Sequence, residues 1–179
     1  MHMWTSITVG FIFAFPFILW EIWKFISPAL YEKEKKYAAS FIIISSILFF
    51  IGVLFGYYLI APLSVQFFAS YIVSPEISNS IDIDSYMSLM KTSAIASGLL
   101  FELPIIIFFL TKIGLVTPEF LRKYRKYTLV VVLIVAAVIT PPDVLSQIIV
   151  TIPIMILYEA SILISVLVVK SQEKEKLKA

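Results

Sequence analysis

Three carboxylates stand inside long apolar runs of this 179-residue sequence: Glu21, Glu102 and Glu159. A charge at the centre of a bilayer costs at least about 2.5–3.5 kcal/mol, so each needs a polar partner, a water-filled cavity or a bound proton. Glu21 lies near the end of its run beside Lys24, where a structural role is normal. Glu102 lies deeper and precedes Pro104, which frees a carbonyl upstream, so we expect an intramembrane polar site there. For Glu159 a structural and a functional role both stay open.

Other chemistry is largely excluded by residue type. The sequence has no cysteine and its one histidine is His2, which removes thiol nucleophiles, thiolate metal sites and histidine dyads. It has no Gly-x-x-x-x-Gly-Lys phosphate loop. The sequence therefore predicts neither an enzyme nor a cofactor or metal site.

The composition indicates that lipid is the solvent. Apolar residues make up 60% of the chain and charged residues 15%, against roughly 45–50% and about 25% in soluble domains. The mean hydropathy of +0.99 agrees. A soluble enzyme or a nucleic-acid-binding protein is a poor interpretation of such a sequence.

Five apolar stretches approach the roughly 20 residues that a helix needs to cross a membrane. They predict an all-α, polytopic integral membrane protein, formed by one helical domain over residues 1–170 and a charged cytoplasmic tail over 171–179. The fourth stretch is short enough to require bilayer thinning or a protein-lined rim. The predicted spans are residues 4–26, 37–60, 86–110, 127–140 and 144–169.

The connecting segments carry their own signals. The apolar part of the second connection, from Leu63 to Ile72, predicts a short helix at the membrane interface. Thr117 followed by Pro118 predicts a helix start, and Asp143 predicts the N-cap of the last helix. Residue 147 is a glutamine on the same helix face as Asp143, since the two are four positions apart. Gln147, with Thr140 across the turn, either makes an internal hydrogen bond or docks a partner's transmembrane helix.

The positive charges orient the chain. Thirteen of the fourteen lysines and arginines fall on one side of the predicted spans, and only Lys91 falls on the other. By the positive-inside rule the C-terminus is cytoplasmic and residue 1 lies outside. Because residue 1 is outside without a signal peptide, we expect an upstream segment to be missing. On the cytoplasmic side, a carboxylate such as Glu34 is suited to bind an arginine guanidinium.

Several motifs follow one another from about residue 8 to residue 168 and resemble a known family. They are Phe15-Pro16, the segment from Trp23 through Lys24-Phe25-Ile26-Ser27-Pro28-Ala29-Leu30 to Tyr31 with Glu34, Phe101-Glu102-Leu103-Pro104, Leu121-Arg122-Lys123-Tyr124-Arg125-Lys126-Tyr127, Thr140-Pro141-Pro142-Asp143-Val144-Leu145-Ser146-Gln147, Pro153 and Tyr158-Glu159. Together they resemble TatC, the large membrane subunit of the twin-arginine protein translocase.

The resemblance implies a Sec-independent translocase receptor in the cytoplasmic membrane, driven by the proton-motive force. Glu34 would recognise the two arginines of signal peptides of folded proteins, with Phe25 and Pro28 shaping that site. Glu102 would face the concave interior of the bundle. Thr140, Asp143 and Gln147 would lie where a partner helix docks. The expected partners are signal peptides, TatA, TatB, lipid and further copies of this chain, with no nucleic acid.

This sequence also departs from the family pattern. TatC has six spans and an N-terminal cytoplasmic segment with a second signal-binding glutamate, and neither that segment nor the first span has a counterpart here. We therefore expect a six-helix bundle that lacks its first helix. The alternative function is a small proton-coupled transporter or channel subunit that uses Glu102 and Glu159 as relay carboxylates.

Overall fold

The computed structural model describes residues 2–26, 38–70, 82–141 and 143–176, which are helical over almost their whole length. The helices are α1 (His2–Ile26), α2 (Ala38–Phe55), a π-helical turn (Gly56–Ile60), α3 (Ala61–Ser70), α4 (Ile83–Phe101), α5 (Leu103–Lys112), α6 (Pro118–Lys123), α7 (Arg125–Ile139) and α8 (Val144–Lys176). The prediction of an all-helical membrane protein is confirmed.

Four helical stretches in these ranges are long and apolar enough to cross a membrane. They are Met3–Phe25, Ser40–Ser70, Ile83–Lys112 and Val144–Lys174. The predicted fourth span corresponds to α7, whose 15 residues rise only about 22 Å. Because that is shorter than a typical hydrocarbon core, the total of five spans stays a prediction.

Two helices extend beyond the boundaries that the sequence predicts. The segment from Leu63, expected to form a separate interfacial helix, belongs to α3, which follows directly on α2 and the π turn. At the other end of the chain, α8 continues into the charged tail as far as Lys176. Lysine and glutamate are good helix formers, so the tail can prolong the helix once hydrophobicity has ended.

Glycines bring α2 and α4 into close contact. Gly52 and Gly56 form a Gly-x-x-x-Gly pattern, and a Cβ atom at Gly56 would lie 2.1 Å from Ser97 Oγ and 2.2 Å from the Ser93 carbonyl oxygen. On α4, a Cβ atom at Gly98 would lie 2.8 Å from the Phe49 ring. Small residues of this kind allow helix backbones to approach closely in lipid.

The π turn keeps one face of the second helical stretch against the bundle. Buried positions along this stretch include Ser45, Phe49, Gly52, Gly56, Ile60 and Ser64. From Gly52 onward they are four residues apart, a spacing that drifts around a regular α-helix with 3.6 residues per turn. A wider turn with i→i+5 hydrogen bonds removes that drift, so the same face stays buried.

Aromatic rings pack α1 against α2. The Phe15 and Phe49 rings stack with centroids 3.5 Å apart, and Trp23 meets Phe41 at 5.0 Å. Since later residues of α1 meet earlier residues of α2, the two helices are antiparallel. Trp23 also contacts Phe109 of α5 at 5.8 Å, so the end of α1 lies beside the end of α5.

Polar contacts tie α8 to its neighbours. Thr111 Oγ1 and Ser165 Oγ are 2.9 Å apart, which joins α5 to α8. The hydroxyl of Tyr158 donates to the Leu121 carbonyl oxygen of α6 at 2.8 Å, and the Gln172 amide donates to the Lys112 carbonyl oxygen at 2.9 Å. These contacts gather the basic ends of α5, α6 and α8 at one end of the bundle.

We predict that Gly56→Ala destabilises the protein by about 1–3 kcal/mol, because the added methyl group collides with the α4 backbone. The measurement is the midpoint of thermal unfolding in detergent. Gly10→Ala is the matched control, since nothing lies within 4 Å of a Cβ atom at that position. It should leave the midpoint unchanged or raise it slightly. Equal midpoints for the two variants would contradict the close α2–α4 contact.

Candidate functional site

Glu102 occupies a break between two helices. It follows the last residue of α4 and precedes α5, in which Pro104 is the second residue. Proline has no N–H group, so the α-helical hydrogen bond from position 104 back to Leu100 cannot form. The backbone N–H of Glu102 donates to the Leu99 carbonyl oxygen at 3.2 Å, three residues back rather than the four of an α-helix. The sequence predicts one continuous span over residues 86–110 with a carbonyl freed near Leu100, and the structure instead divides that span into α4 and α5.

The carboxylate of Glu102 is buried, with 6% of the residue exposed. Its Oε2 accepts a hydrogen bond from the Ser45 hydroxyl of α2. Its Oε1 has no hydrogen-bond partner in the described part of the chain. A buried polar atom without a partner is costly, which marks it as a candidate acceptor for a group from outside the chain. The expectation that it lines a concave face stays a prediction.

Ser45 was not predicted as the partner of Glu102. The available signal was Ser45-Ser46, two adjacent hydroxyl residues in the middle of the most apolar span. Both are buried, and the hydroxyl of Ser46 has no partner among the described residues. A buried hydroxyl in a transmembrane helix needs an acceptor, so this pair should have suggested a polar contact.

Asp143 caps the last helix as expected. Its Oδ2 accepts hydrogen bonds from the backbone N–H of Ser146 at 2.9 Å and from the Ser146 hydroxyl at 3.0 Å. These two bonds, the backbone one first, lower the pKa of Asp143 from its ordinary value, because both favour the ionised carboxylate. The prediction of an N-cap at this position is confirmed.

Gln147 and Thr140 both make hydrogen bonds within the chain. The Gln147 side-chain amide donates to the Leu133 carbonyl oxygen of α7 at 2.9 Å, so it holds α7 and α8 together. Thr140 is buried, and its hydroxyl donates to the Ala136 carbonyl oxygen at 2.8 Å, one turn back in α7. Of the two roles left open for Gln147, the internal hydrogen bond is present. It does not test the docking of a partner helix, which stays a prediction.

Glu159 has a basic partner. Its carboxylate lies 2.6 Å from the Arg125 guanidinium, and both side chains are about half exposed, at 46% and 48%. The pair joins the start of α7 to the middle of α8. Glu21 likewise pairs with Lys24, at 2.8 Å on the surface of α1, which agrees with its expected structural role.

The residues expected to bind a signal peptide are only partly described. Phe25 lies in the last turn of α1 and is 87% exposed. Pro28 and Glu34 lie outside the described residues. The structure therefore does not test the signal-peptide site. Among the described residues, Glu102 and Glu159 have different partners, and no hydrogen bond joins their carboxylates.

A family model described as Sec-independent protein translocase protein (TatC) matches residues 1–153. The chain belongs to the TatC family. The TatC protein of a Blattabacterium is 44% identical over 172 residues, which cover 96% of this chain and 65% of the relative. The TatCy protein of Bacillus subtilis is 45% identical over 157 residues, which cover 88% of this chain and 62% of the relative. This chain thus spans slightly less than two thirds of those TatC proteins.

The fold agrees with solved TatC structures. A crystal structure described as the twin arginine translocase receptor TatC in DDM matches with a TM-score of 0.74 and 38% sequence identity. The match covers 89% of this chain and 71% of that TatC chain. The resemblance inferred from the motifs is therefore confirmed.

We predict that the Asp143 cap of this TatC-family chain loses its stabilising effect in acid. A lowered folded-state pKa means that the carboxylate stabilises the fold above the ordinary Asp pKa of about 3.9, and that this contribution disappears as pH falls through the lowered value. Asp143→Ala should therefore lower the unfolding midpoint at pH 7, and the difference from the unsubstituted chain should shrink toward pH 2. A difference that stays constant over this range would refute the cap's role.

Proposed function

We propose that this chain is a receptor subunit of the twin-arginine translocase, which moves folded proteins across the cytoplasmic membrane independently of Sec. Membership of the TatC family carries the proposal, because its relatives are named as translocase proteins and a solved member as the twin arginine translocase receptor. The sequence contains no phosphate-binding Gly-x-x-x-x-Gly-Lys loop, and we assign the driving energy to the proton-motive force.

Recognition of the signal peptide is assigned to the cytoplasmic segment after α1. Glu34 would accept paired, charge-assisted hydrogen bonds from a guanidinium group, a geometry that lysine cannot reproduce. Phe25 supports this assignment because its ring is almost fully exposed at the end of α1. Pro28 would help to shape the same site.

Glu102 is assigned as a hydrogen-bond acceptor inside the membrane. Its buried carboxylate has one oxygen bonded to Ser45 and one without a partner in the described ranges. A polar group on an inserted peptide or partner helix would satisfy that oxygen, and hydrocarbon would not. This role would explain why a costly residue is kept in the bundle.

Docking of single-span partners of the TatA and TatB type is assigned to the α7–α8 end. Thr140, Asp143 and Gln147 lie within one turn and its flanking helix ends. The outer surfaces of α7 and α8 are apolar there, with Val138 81% exposed and Leu145 65% exposed. An apolar helix with a polar residue at this depth would fit beside them.

The proposed orientation has residue 1 outside and the C-terminus in the cytoplasm. It rests on the gathering of basic helix ends at one end of the bundle, where Lys24, Lys112, Arg125 and Lys170 occur. Positive charges at one end of a helix bundle favour an orientation in which that end faces the cytoplasm.

A proton relay through two carboxylates is not favoured. Glu159 is paired with Arg125, and Glu102 is bonded to Ser45. Within the described ranges no hydrogen bond links the two carboxylates. The family matches also point to translocase proteins rather than to a transporter.

A crosslinking experiment tests recognition of the signal peptide. A photoreactive amino acid at position 33, beside Glu34, should form a crosslink to a signal peptide with two arginines in membranes that contain this chain. Changing both arginines to lysine should remove most of that product, because lysine cannot bind a carboxylate in the same bidentate way. Glu34→Gln should have a similar effect, and Glu32→Gln is the matched control. Equal crosslinking of the lysine peptide would refute arginine-specific recognition.

Copurification tests the docking assignment. Gln147→Leu should weaken recovery of a single-span TatA- or TatB-type partner at least severalfold, while the signal-peptide crosslink is kept. Tyr158→Phe is the matched control, because it also removes one hydrogen bond from a side chain of α8 to a carbonyl of a neighbouring helix. If both variants lose the partner equally, general loosening of α8 explains the effect and the docking role is wrong.

A further inference from the structure

The junction between α6 and α7 concentrates positive charge. Residues 117–127 contain Arg122, Lys123, Arg125 and Lys126, with Glu119 as the single acidic residue in that stretch of sequence. The junction is well ordered, since Thr117 accepts a hydrogen bond from the Phe120 N–H and Leu121 is buried beneath Tyr158. The backbone that carries the four bases is therefore held in place by the Thr117 cap and the buried Leu121.

Only one of these four bases is neutralised within the described part of the chain. Arg125 pairs with Glu159 of α8 at 2.6 Å. Arg122, Lys123 and Lys126 are exposed and make no ion pair with any described residue. Three positive charges are thus available to an external anion at one corner of the bundle.

Aromatic residues alternate in sequence with the available charges, and one ring lies close to Lys123. The Phe120 and Tyr124 rings are 4.5 Å apart, and the Tyr124 and Tyr127 rings are 5.7 Å apart, so the three form a continuous row. All three are exposed, Tyr127 by 67%. Lys123 Nζ lies 5.9 Å from the centre of the Tyr124 ring, which places a cation on the row itself.

We propose that this basic corner, made of Arg122, Lys123 and Lys126 with the ring row Phe120–Tyr124–Tyr127, binds the phosphate of an anionic phospholipid. Amphipathic rings prefer the level of the lipid headgroups, and the bases at that level meet the phosphate. The exposed apolar surface of α7 continues from the corner through Val130, Val131 and Ile134, and it would contact the acyl chains.

This apolar continuation favours a lipid over an acidic protein. An acidic protein that binds by charge alone would supply no apolar groups to cover the ring row and the exposed α7 surface. A phospholipid offers a negative headgroup and two apolar chains in the same order as the basic corner and α7. The basic corner therefore matches the headgroup of one lipid molecule, and the adjoining α7 surface matches its acyl chains.

The Arg125–Glu159 pair gives the proposal a distinctive consequence. Glu159 is about half exposed and supplies negative charge next to the basic corner. Its replacement by glutamine removes that charge and releases the Arg125 guanidinium. Affinity for an anionic lipid should then increase, whereas affinity for a zwitterionic lipid should stay the same. A base near an anionic membrane surface contributes about fivefold in affinity, which sets the size of the expected gain.

Native mass spectrometry of the full chain in neutral detergent tests the proposal. The probes are dioleoylphosphatidylglycerol, which is anionic, and dioleoylphosphatidylcholine, which is zwitterionic. Arg122→Gln/Lys126→Gln should reduce phosphatidylglycerol affinity about 25-fold, since each base contributes about fivefold, and should leave phosphatidylcholine binding unchanged. Lys170→Gln/Lys174→Gln is the matched control, because it removes two exposed bases from α8 at the same end of the bundle. The control should keep its phosphatidylglycerol affinity, and Glu159→Gln should raise it.

Three results would overturn the proposal. The first is unchanged phosphatidylglycerol binding by Arg122→Gln/Lys126→Gln. The second is an equal loss in the α8 control, which would show a general charge effect. The third is tight, corner-dependent binding of a polyglutamate peptide by a chain that does not distinguish the two lipids, which would assign the surface to an acidic protein. Midpoints of unfolding for each variant separate lost binding from lost folding.

Discussion

The close approach of α2 and α4 is the constraint on which the rest of the bundle depends. Lipid provides no hydrophobic force to drive one apolar helix onto another, so association relies on packing and hydrogen bonds. At Gly56 the α4 backbone occupies the space where any other residue would carry its Cβ atom. This contact fixes the distance at which the Ser45 hydroxyl reaches Glu102. The rings of α1 pack onto α2 at Phe49, whose ring also lies against Gly98 of α4.

The second half of the molecule is held differently. Hydrogen bonds from side chains connect α8 with α5, α6 and α7, through Thr111, Tyr158, Gln147 and Gln172. Thr111 and Tyr158 are buried, so removing either contact would leave a buried donor or acceptor unpaired. Gln172 makes its contact at the charged end of α8. Side-chain hydrogen bonds therefore hold α8 against its neighbours, whereas close packing at glycines holds α2 against α4.

The sequence was most informative where a single residue determines the local backbone. Asp143 predicted a helix cap, and apolar run length predicted the long helices, although the division of the third span at Glu102 was not predicted. The partners Ser45 and Arg125 were not predicted, because they are 57 and 34 positions from the carboxylates they contact. Local sequence patterns do not indicate which distant side chain will contact a given carboxylate, because that depends on how the helices pack. The end of the second helix was also missed, since hydropathy falls before the helix ends.

The π turn at Gly56–Ile60 has a consequence for how relatives of this chain should be aligned. Such a turn holds one residue more than an α-helical turn between the same two neighbours. A sequence shorter by one residue at this point could form an ordinary α-helix and still present the same side chains to α4. A one-residue deletion in the π turn would therefore preserve the contact between α2 and α4. The same deletion beside Gly52 would rotate the glycines away from α4.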